Sequence, residues 1–332
     1  MMHPPDGEDL PRPTSFVRAP HSGHIHTLAI IPAFEEERRI GSVVLQTKPY
    51  VDEVLVIDDG SHDDTARVAR AAGARVIRHD RNEGKGSALN TGLVRARQLG
   101  ATAVVLIDGD GQHRAEEIPI VLGPVLCGEA DIVVGSRYLQ PQAQVPRHRV
   151  LGHKALNWLT GIVSGVHLSD SQNGFRALSR RALDAFWFCS QGFSVESEMQ
   201  FLIREHGLCF VEAPVTTLYC DKPKRSAVVQ GLQVVDGTLH GAGYYRPLQF
   251  LEVPGVGLFV LGLAIRMAAL ESLQLSSPLV SILAVLDMPM MFFGTYMLFA
   301  GVVLSVVRPR MAGGLNSRQV DEEEPEHDDD DE

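Results

Sequence analysis

Apolar residues in the first half of the chain fall in short blocks separated by longer, mixed stretches. Thr27–Ala33 (TLAIIPA), Glu53–Asp58 (EVLVID), Arg75–Arg78 (RVIR), residues 103–107 (AVVLI) and residues 131–135 (DIVVG) are short runs of the kind that form buried strands. Residues 36–46, 63–72, 86–99 and a stretch near 118–127 lie between them and read as helices, with apolar positions of 86–99 at helical spacing. Strands that alternate with helices predict a mostly parallel sheet covered on both faces. In such sheets ligands bind beyond the carboxyl ends of the strands. Residues 150–245 are less regular: a helix at 152–163, an apolar stretch around 174–178, a helix near 196–205 and a strand near 208–214.

Past residue 248 the pattern changes again. Residues 253–265 (VPGVGLFVLGLAI) continue through Arg266 to Leu270, and 279–307 are apolar apart from Asp287 and a few small polar residues. Both stretches approach or exceed the roughly 20 residues that cross a bilayer. The second is too long for a buried core helix. Arg246 precedes the first, and Arg308 and Arg310 follow the second, which predicts both termini on the cytoplasmic side. Two crossings satisfy this, as does a re-entrant hairpin.

Composition changes the picture in three places. The formal charge of −11 is concentrated in residues 321–332 (DEEEPEHDDDDE), whose ten acids leave 31 acids against 30 bases elsewhere. This predicts a disordered acidic tail and no basic surface for nucleic acid. Cys127, Cys189, Cys209 and Cys220 form no close pair, so neither a zinc site nor a disulfide framework is expected, and they fit reduced cytoplasmic thiols. Residues 1–24 are rich in Pro and His and lack an apolar core segment, which predicts a disordered leader rather than a signal peptide.

The candidate chemistry lies at the strand ends. Asp108-Gly109-Asp110, with Gln112 two residues on, closes the fourth strand. Carboxylates two apart in an extended backbone leave the same face, and Gly109 and Gly111 allow close approach of a ligand to the backbone. Hard oxygen ligands in that setting suit a divalent cation that keeps coordination for a diphosphate. Asp58-Asp59-Gly60-Ser61 ends the second strand, at the same edge of a parallel sheet. Structural roles are open to each cluster: a turn and helix cap for Asp58 to Ser61, and a loop with a buried ion pair for residues 170–176 (DSQNGFR). Arg137 has several carboxylates with which to pair. Gly84-Lys85-Gly86 does not have P-loop spacing, which disfavours kinase or ATPase chemistry.

Four clusters follow in order: Ile31-Pro32-Ala33-Phe34-Glu35-Glu36-Glu37, Val56-Ile57-Asp58-Asp59-Gly60-Ser61, Asn82-Glu83-Gly84-Lys85-Gly86, and Leu106-Ile107-Asp108-Gly109-Asp110-Gly111-Gln112-His113. This order resembles family-2 glycosyltransferases of GT-A fold, most closely the dolichyl- or polyprenyl-phosphate hexose synthase branch. Gly135-Ser136-Arg137-Tyr138, Asp170 to Arg176 and the two apolar C-terminal stretches support that branch. The resemblance implies an α/β, Rossmann-like mixed sheet with helices on both faces, followed by transmembrane helices. The implied boundaries are a leader at 1–24, a catalytic domain at 25–225, an interfacial helical connector at 226–247, two membrane helices within 248–310 and a tail at 311–332.

The resemblance also implies site roles. Pro32, Phe34 and Glu36 would line the nucleoside pocket, and Ile57 and Asp59, with Asp58 beside them, would read the base and its sugar. Lys85 would touch the diphosphate. Asp108, Gly109 and Asp110 would meet the donor, with Asp108, Asp110 and Gln112 holding Mg²⁺ or Mn²⁺. Arg137 and Arg176 would contact donor or acceptor phosphate, helped by Lys222, Lys224 and Arg225. Asp110 and Arg176 are the expected catalytic residues, and Glu198 is a further acid for which a base role is open, beside the expectation that it orients an arginine or faces solvent. Two departures bear on nucleoside identity: Glu35 stands where the family usually has Asn, and Phe34 where it has Tyr. The expected activity is inverting transfer of a hexose from a UDP- or GDP-linked donor to dolichyl or polyprenyl phosphate, by a multi-pass membrane protein with its catalytic domain in the cytoplasm. The alternatives are another acceptor on the same fold, a glycolipid or polysaccharide, or a non-catalytic nucleotide-sugar binder. The Gln-x-x-Arg-Trp motif of processive synthases does not occur.

Overall fold

The computed structural model describes residues 25–139, 147–189, 195–218, 227–271 and 278–321. The leader, Lys222, Lys224, Arg225 and residues 322–332 of the tail lie outside the described residues. Two compact units divide the chain: Met1–Asn157 with Leu168–Lys224, and Trp158–His167 with Arg225–Glu332.

In the first unit β1 (Thr27–Ala33), α1 (Ile40–Thr47), β2 (Glu53–Asp58), α2 (Thr65–Ala71), β3 (Arg75–Arg78), α3 (Lys85–Gln98) and β4 (Ala103–Leu106) alternate as the apolar pattern predicts. After them come α4 (Ile118–Leu126), β5 (Ile132–Ser136), α5 (Arg147–Ser164, whose end belongs to the second unit), β6 (Arg176–Ser179), α6 (Arg180–Ala185), α7 (Val195–Glu205) and β7 (Phe210–Pro214). The sheet order is β3-β2-β1-β4-β6-β5-β7. Ala29, Ile31, Val56, Val105 and Ile107 bury one sheet face against Val43, Val44, Ile118 and Val121 of the covering helices. Burial on both faces explains why the strands read as continuous apolar runs.

Two differences from the sequence reading position the site. The apolar stretch expected around 174–178 includes most of a strand, β6 (Arg176–Ser179), which pairs antiparallel with both β4 and β5. Only four residues long and opened by an arginine, β6 has no alternation to betray it. Its register sets Arg176 beside Leu106, so the loop before β6 meets the carboxyl end of β4. The first helix begins at Ile40 rather than 36 because Glu35 adopts φ +54°, a left-handed conformation that turns the chain after β1.

In the second unit α8 (Ala227–Tyr245) leads through a π-helical turn (Leu248–Glu252) to α9 (Val253–Glu271) and α10 (Pro278–Asp321). Leu248–Leu270 and Val285–Val306 are long and apolar enough to cross a membrane, and most of their surface is exposed. Glycines seven apart on each helix let the backbones approach: a Cβ on Gly262 would lie 2.9 Å from the Asp287 carbonyl oxygen, and one on Gly294 2.6 Å from the Phe259 nitrogen. Arg266, which interrupts the first apolar stretch, pairs with the wholly buried Asp287 of the second, Nε to Oδ2 at 2.5 Å. Each helix thus supplies the counter-charge that the other lacks. The α10 helix runs through residues 311–321, which the sequence reading assigned to the tail.

Candidate active site

Asp108 leaves the carboxyl end of β4 half-buried, and its two oxygens face different partners. Oδ1 accepts from the Lys85 ammonium at 2.7 Å, at the start of α3. Oδ2 lies 3.6 Å from His113 Nε2. The same Lys85 Nζ donates to Glu196 Oε1 at 2.7 Å, in the first turn of α7. Burial of the ammonium acts to lower the Lys85 pKa, but the charges of Asp108 and Glu196 prevail and hold it well above the ordinary lysine range. At Asp108 burial acts to raise the pKa, and Lys85 and His113 outweigh it, holding the carboxyl well below the usual range. Asp110 moves the other way: burial first, then the neighbouring Asp108 charge, push it up against the backbone hydrogen bond from Gln112. One carboxylate is compensated and its neighbour is not, which is the electrostatic setting a cation would relieve.

Gly174 closes the other side of Asp108. A Cβ there would lie 2.6 Å from Asp108 Oδ2, so only glycine lets the loop before β6 come this close. Gly109, expected to admit a ligand, has a packing role in this structure. It is buried, and a Cβ would meet the Pro32 carbonyl oxygen at 3.2 Å and the Ala33 Cβ at 3.3 Å, so it packs the β1 and β4 ends together. Gln112 exposes its amide side chain, while its backbone N–H donates to Asp110 Oδ1 at 3.0 Å.

The β1 and β2 ends form a second side of the site. Pro32 and Phe34 are partly exposed, and Glu36 is nearly buried, its N–H donating to Thr65 Oγ1 at 2.9 Å. Left-handed φ favours Asn over Glu, so Glu35 occupies its position at a conformational cost, with its N–H donating to Ser61 Oγ at 2.9 Å. Ile57 and Asp58 are fully buried. Asp58 Oδ1 accepts from the Ser61 N–H at 3.1 Å, and Oδ2 lies 3.3 Å from Arg78 Nε, so both residues support the loop that carries Asp59. Asp59 clamps the loop leading into α3, accepting from the N–H groups of Glu83 (3.0 Å) and Gly84 (2.8 Å) and lying 2.8 Å from His79 Nδ1. It thereby sets the position of Lys85.

Both arginines expected to contact phosphate are engaged internally. Arg137 Nε and Nη2 donate to Asp170 Oδ2 and Oδ1 at 2.6 and 2.7 Å, so its bidentate fork is filled by a carboxylate. Arg176 is fully buried, and its guanidinium donates to the carbonyl oxygens of Asn173 (2.9 Å), Ser171 (2.7 Å) and Glu196 (3.3 Å). The sequence assigned Arg176 an acceptor-phosphate and catalytic role; here its guanidinium is buried and taken up by these carbonyl oxygens, which gives it a structural part in holding the loop. The sequence left a buried ion pair open for this loop, and Asp170 with Arg137 is that pair. Glu198 is also buried and accepts from the Cys189 N–H at 2.9 Å, which corrects the solvent-facing alternative. Sequence reasoning missed Glu196, His79 and Gly174. Two acids in the first turn of α7 were the only available signal for Glu196.

The model for "Glycosyl transferase family 2" matches residues 28–187. The chain is 32% identical to the UDP-N-acetylglucosamine–dolichyl-phosphate N-acetylglucosaminyltransferase of Methanococcus voltae, over 58% of this chain and 85% of that protein. This chain belongs to glycosyl transferase family 2. The undecaprenyl-phosphate mannosyltransferase of Micrococcus luteus is 29% identical over 65% of this chain and 94% of its own length. Among solved structures, Mycobacterium tuberculosis glucosyl-3-phosphoglycerate synthase with Mn²⁺ and UDP-glucose superposes with a TM-score of 0.54 at 27% identity, over 66% of this chain and 79% of that one. The protein is a glycosyltransferase of GT-A fold, with β6 as the antiparallel strand of its mixed sheet.

Among the described residues no three His, Cys, Asp or Glu side chains are grouped to hold a metal ion. Asp108 and Asp110 still fit a divalent ion that takes one or two carboxylates and draws its remaining ligands from a diphosphate and water. The uncompensated charge at Asp110 supports that fit.

Two outcomes follow from these contacts. Arg176→Met leaves three carbonyl oxygens without their donor and removes a buried charge from beside Glu196 and Asp170, at a cost of about 3–5 kcal/mol. The midpoint of denaturant unfolding, followed by tryptophan fluorescence, falls accordingly; an unchanged midpoint would contradict the structural role. Because the Asp110 pKa is raised on folding, its ionisation opposes folding as pH climbs through that raised value, and the penalty is absent below the ordinary 3.8. Metal-free Asp110→Asn is therefore more stable than the parent at pH 7, with the advantage lost at pH 3; an advantage that did not vary with pH would contradict this assignment.

Proposed function

We propose that this glycosyltransferase moves a hexose from a nucleoside-diphosphate sugar to a polyprenyl or dolichyl phosphate at a membrane surface, inverting the anomeric centre. The acceptor reading rests on one conjunction: a chain with the Asp108–Asp110 site also carries two helices apolar enough to cross a bilayer, joined by a matched Arg266–Asp287 pair. The names of the Methanococcus voltae and Micrococcus luteus relatives, each including a lipid phosphate, support it. The donor is UDP- or GDP-linked. UDP has the more support, as it occurs in the name of the Methanococcus voltae relative and in the Mycobacterium tuberculosis complexes.

The chemistry asks little of a general base. A phosphate monoester with a second pKa near 6, as in phosphoserine, is mostly dianionic at neutral pH and attacks the anomeric carbon directly. Charge compensation and alignment are what the protein supplies. Asp108 and Asp110 hold the divalent ion, Mg²⁺ or Mn²⁺, with Gln112 beside them. When bound, that ion stabilises the departing nucleoside diphosphate. Pro32, Phe34 and Glu36 border the nucleoside, and Asp59 fixes the α3 entry that presents Lys85. The buried Arg137–Asp170 pair and Arg176 keep the loop carrying Gly174 pressed to Asp108. The acceptor phosphate falls to Lys222, Lys224 and Arg225. Both termini face the cytoplasm, together with the catalytic unit, and α8 serves as the interfacial connector.

Membranes containing the protein, supplied with labelled nucleotide sugars and polyprenyl phosphate, yield a lipid-extractable hexose phosphodiester identifiable by mass spectrometry. Asp110→Ala lowers its formation by at least about 100-fold, the scale on which charge-stabilising groups act. Undiminished product from that variant, or label appearing only in glycolipid or polysaccharide, would contradict the proposal.

A further inference from the structure

Lys85 holds a position that the metal-binding reading makes competitive. Its ammonium touches Asp108 Oδ1 and Glu196 Oε1, each at 2.7 Å. A divalent ion bound through Asp108 would face a fixed positive charge on the same oxygen. An ion that takes Asp108 Oδ1 as a ligand meets the Lys85 ammonium on that same oxygen, and repulsion at contact distance drives Lys85 off it. Glu196 gives it somewhere to go. That carboxylate is nearly buried, stands in the first turn of α7 where the helix dipole favours negative charge, and is already bonded to Lys85. Releasing Asp108 therefore costs Lys85 one contact and leaves its charge compensated. The backbone around it is tied in place: Asp59 accepts from the N–H groups of Glu83 and Gly84, and the Glu196 carbonyl oxygen accepts from Arg176. The side chain alone has to move.

We propose that Lys85 is an internal stand-in for the cation and that Glu196 is the positioning residue that receives it, so that metal alone binds weakly and binds well only when a diphosphate arrives to share the positive charge. This rests on the metal-dependent reading of Asp108 and Asp110 and extends it to Glu196, which that reading does not include. The consequence is ordered assembly. The ammonium keeps Asp108 ionised and correctly placed before loading, and the nucleotide brings the phosphate oxygens that make the exchange favourable.

A double-mutant cycle on the full-length detergent-solubilised protein tests this by Mn²⁺ titration, with free ion followed by its paramagnetic resonance signal. Without nucleotide, Lys85→Gln tightens Mn²⁺ binding about tenfold, and Glu196→Gln, which leaves Lys85 resting on Asp108 alone, weakens it by a similar factor. In the Lys85→Gln background Glu196→Gln changes affinity less than twofold, because the competitor is gone. Lys85→Met, a neutral variant of different shape, shows the same sign as Lys85→Gln, and thermal melts confirm that the variants compared are folded. With UDP present the parent gains more Mn²⁺ affinity than Lys85→Gln does. Unchanged or weaker binding in both Lys85 variants, or an equal Glu196→Gln effect in the two backgrounds, would overturn the exchange while leaving the metal reading intact. Absence of Mn²⁺ binding by the parent even with UDP would overturn both.

Discussion

Ionising a half-buried carboxylate at the end of β4 is costly without a positive neighbour, and at Asp108 the catalytic unit supplies one. That neighbour is Lys85 of α3, and Glu196 of α7 shares the same ammonium at an equal distance. His113 stands on the other oxygen, and Gly174 lets a loop close over it. Three segments remote in sequence, with the nearby His113, thus gather around one charge. The sheet brings them there, since β4 ends beside the start of the antiparallel β6.

The same logic explains the two arginines. Backbone carbonyls gathered in a loop away from water need a donor, and Arg176 supplies several N–H groups from one rigid fork. Arg137 does the equivalent for Asp170. Both therefore brace the loop that closes over Asp108, Arg137 through the Asp170 carboxylate and Arg176 through backbone carbonyl oxygens. The hairpin of the second unit repeats the device on a smaller scale: Arg266 and Asp287 are each costly in an apolar helix and are tolerable together.

Much of this was legible in the residues. Strands buried on both faces declare themselves as apolar runs, the motifs at their ends gave the family and the carboxylate pair, and the length of two apolar stretches gave the C-terminal helices. What stayed hidden depended on pairing. Nothing near Arg137 or Arg176 in the chain announces that Asp170, or the Ser171 and Asn173 carbonyls, will lie beside them, because sequence spacing carries no information on which partner an arginine finds across a sheet. Glu196 was hidden for the same reason, more than a hundred positions from Lys85. Glu35 shows the converse: its departure from Asn was plain in the sequence, and the left-handed φ supplies the reason Asn suits that place.

The central claim is that Asp108 and Asp110 jointly receive a divalent ion from which Lys85 must retreat. Diffraction from crystals loaded with Mn²⁺ and UDP, recorded at the manganese absorption edge, tests it most directly. The account predicts an anomalous peak at about 2.0–2.6 Å from oxygens of both aspartates, with Lys85 Nζ parted from Asp108 and still bonded to Glu196. A peak elsewhere, or one beside Asp108 with the Lys85–Asp108 contact intact, would contradict it.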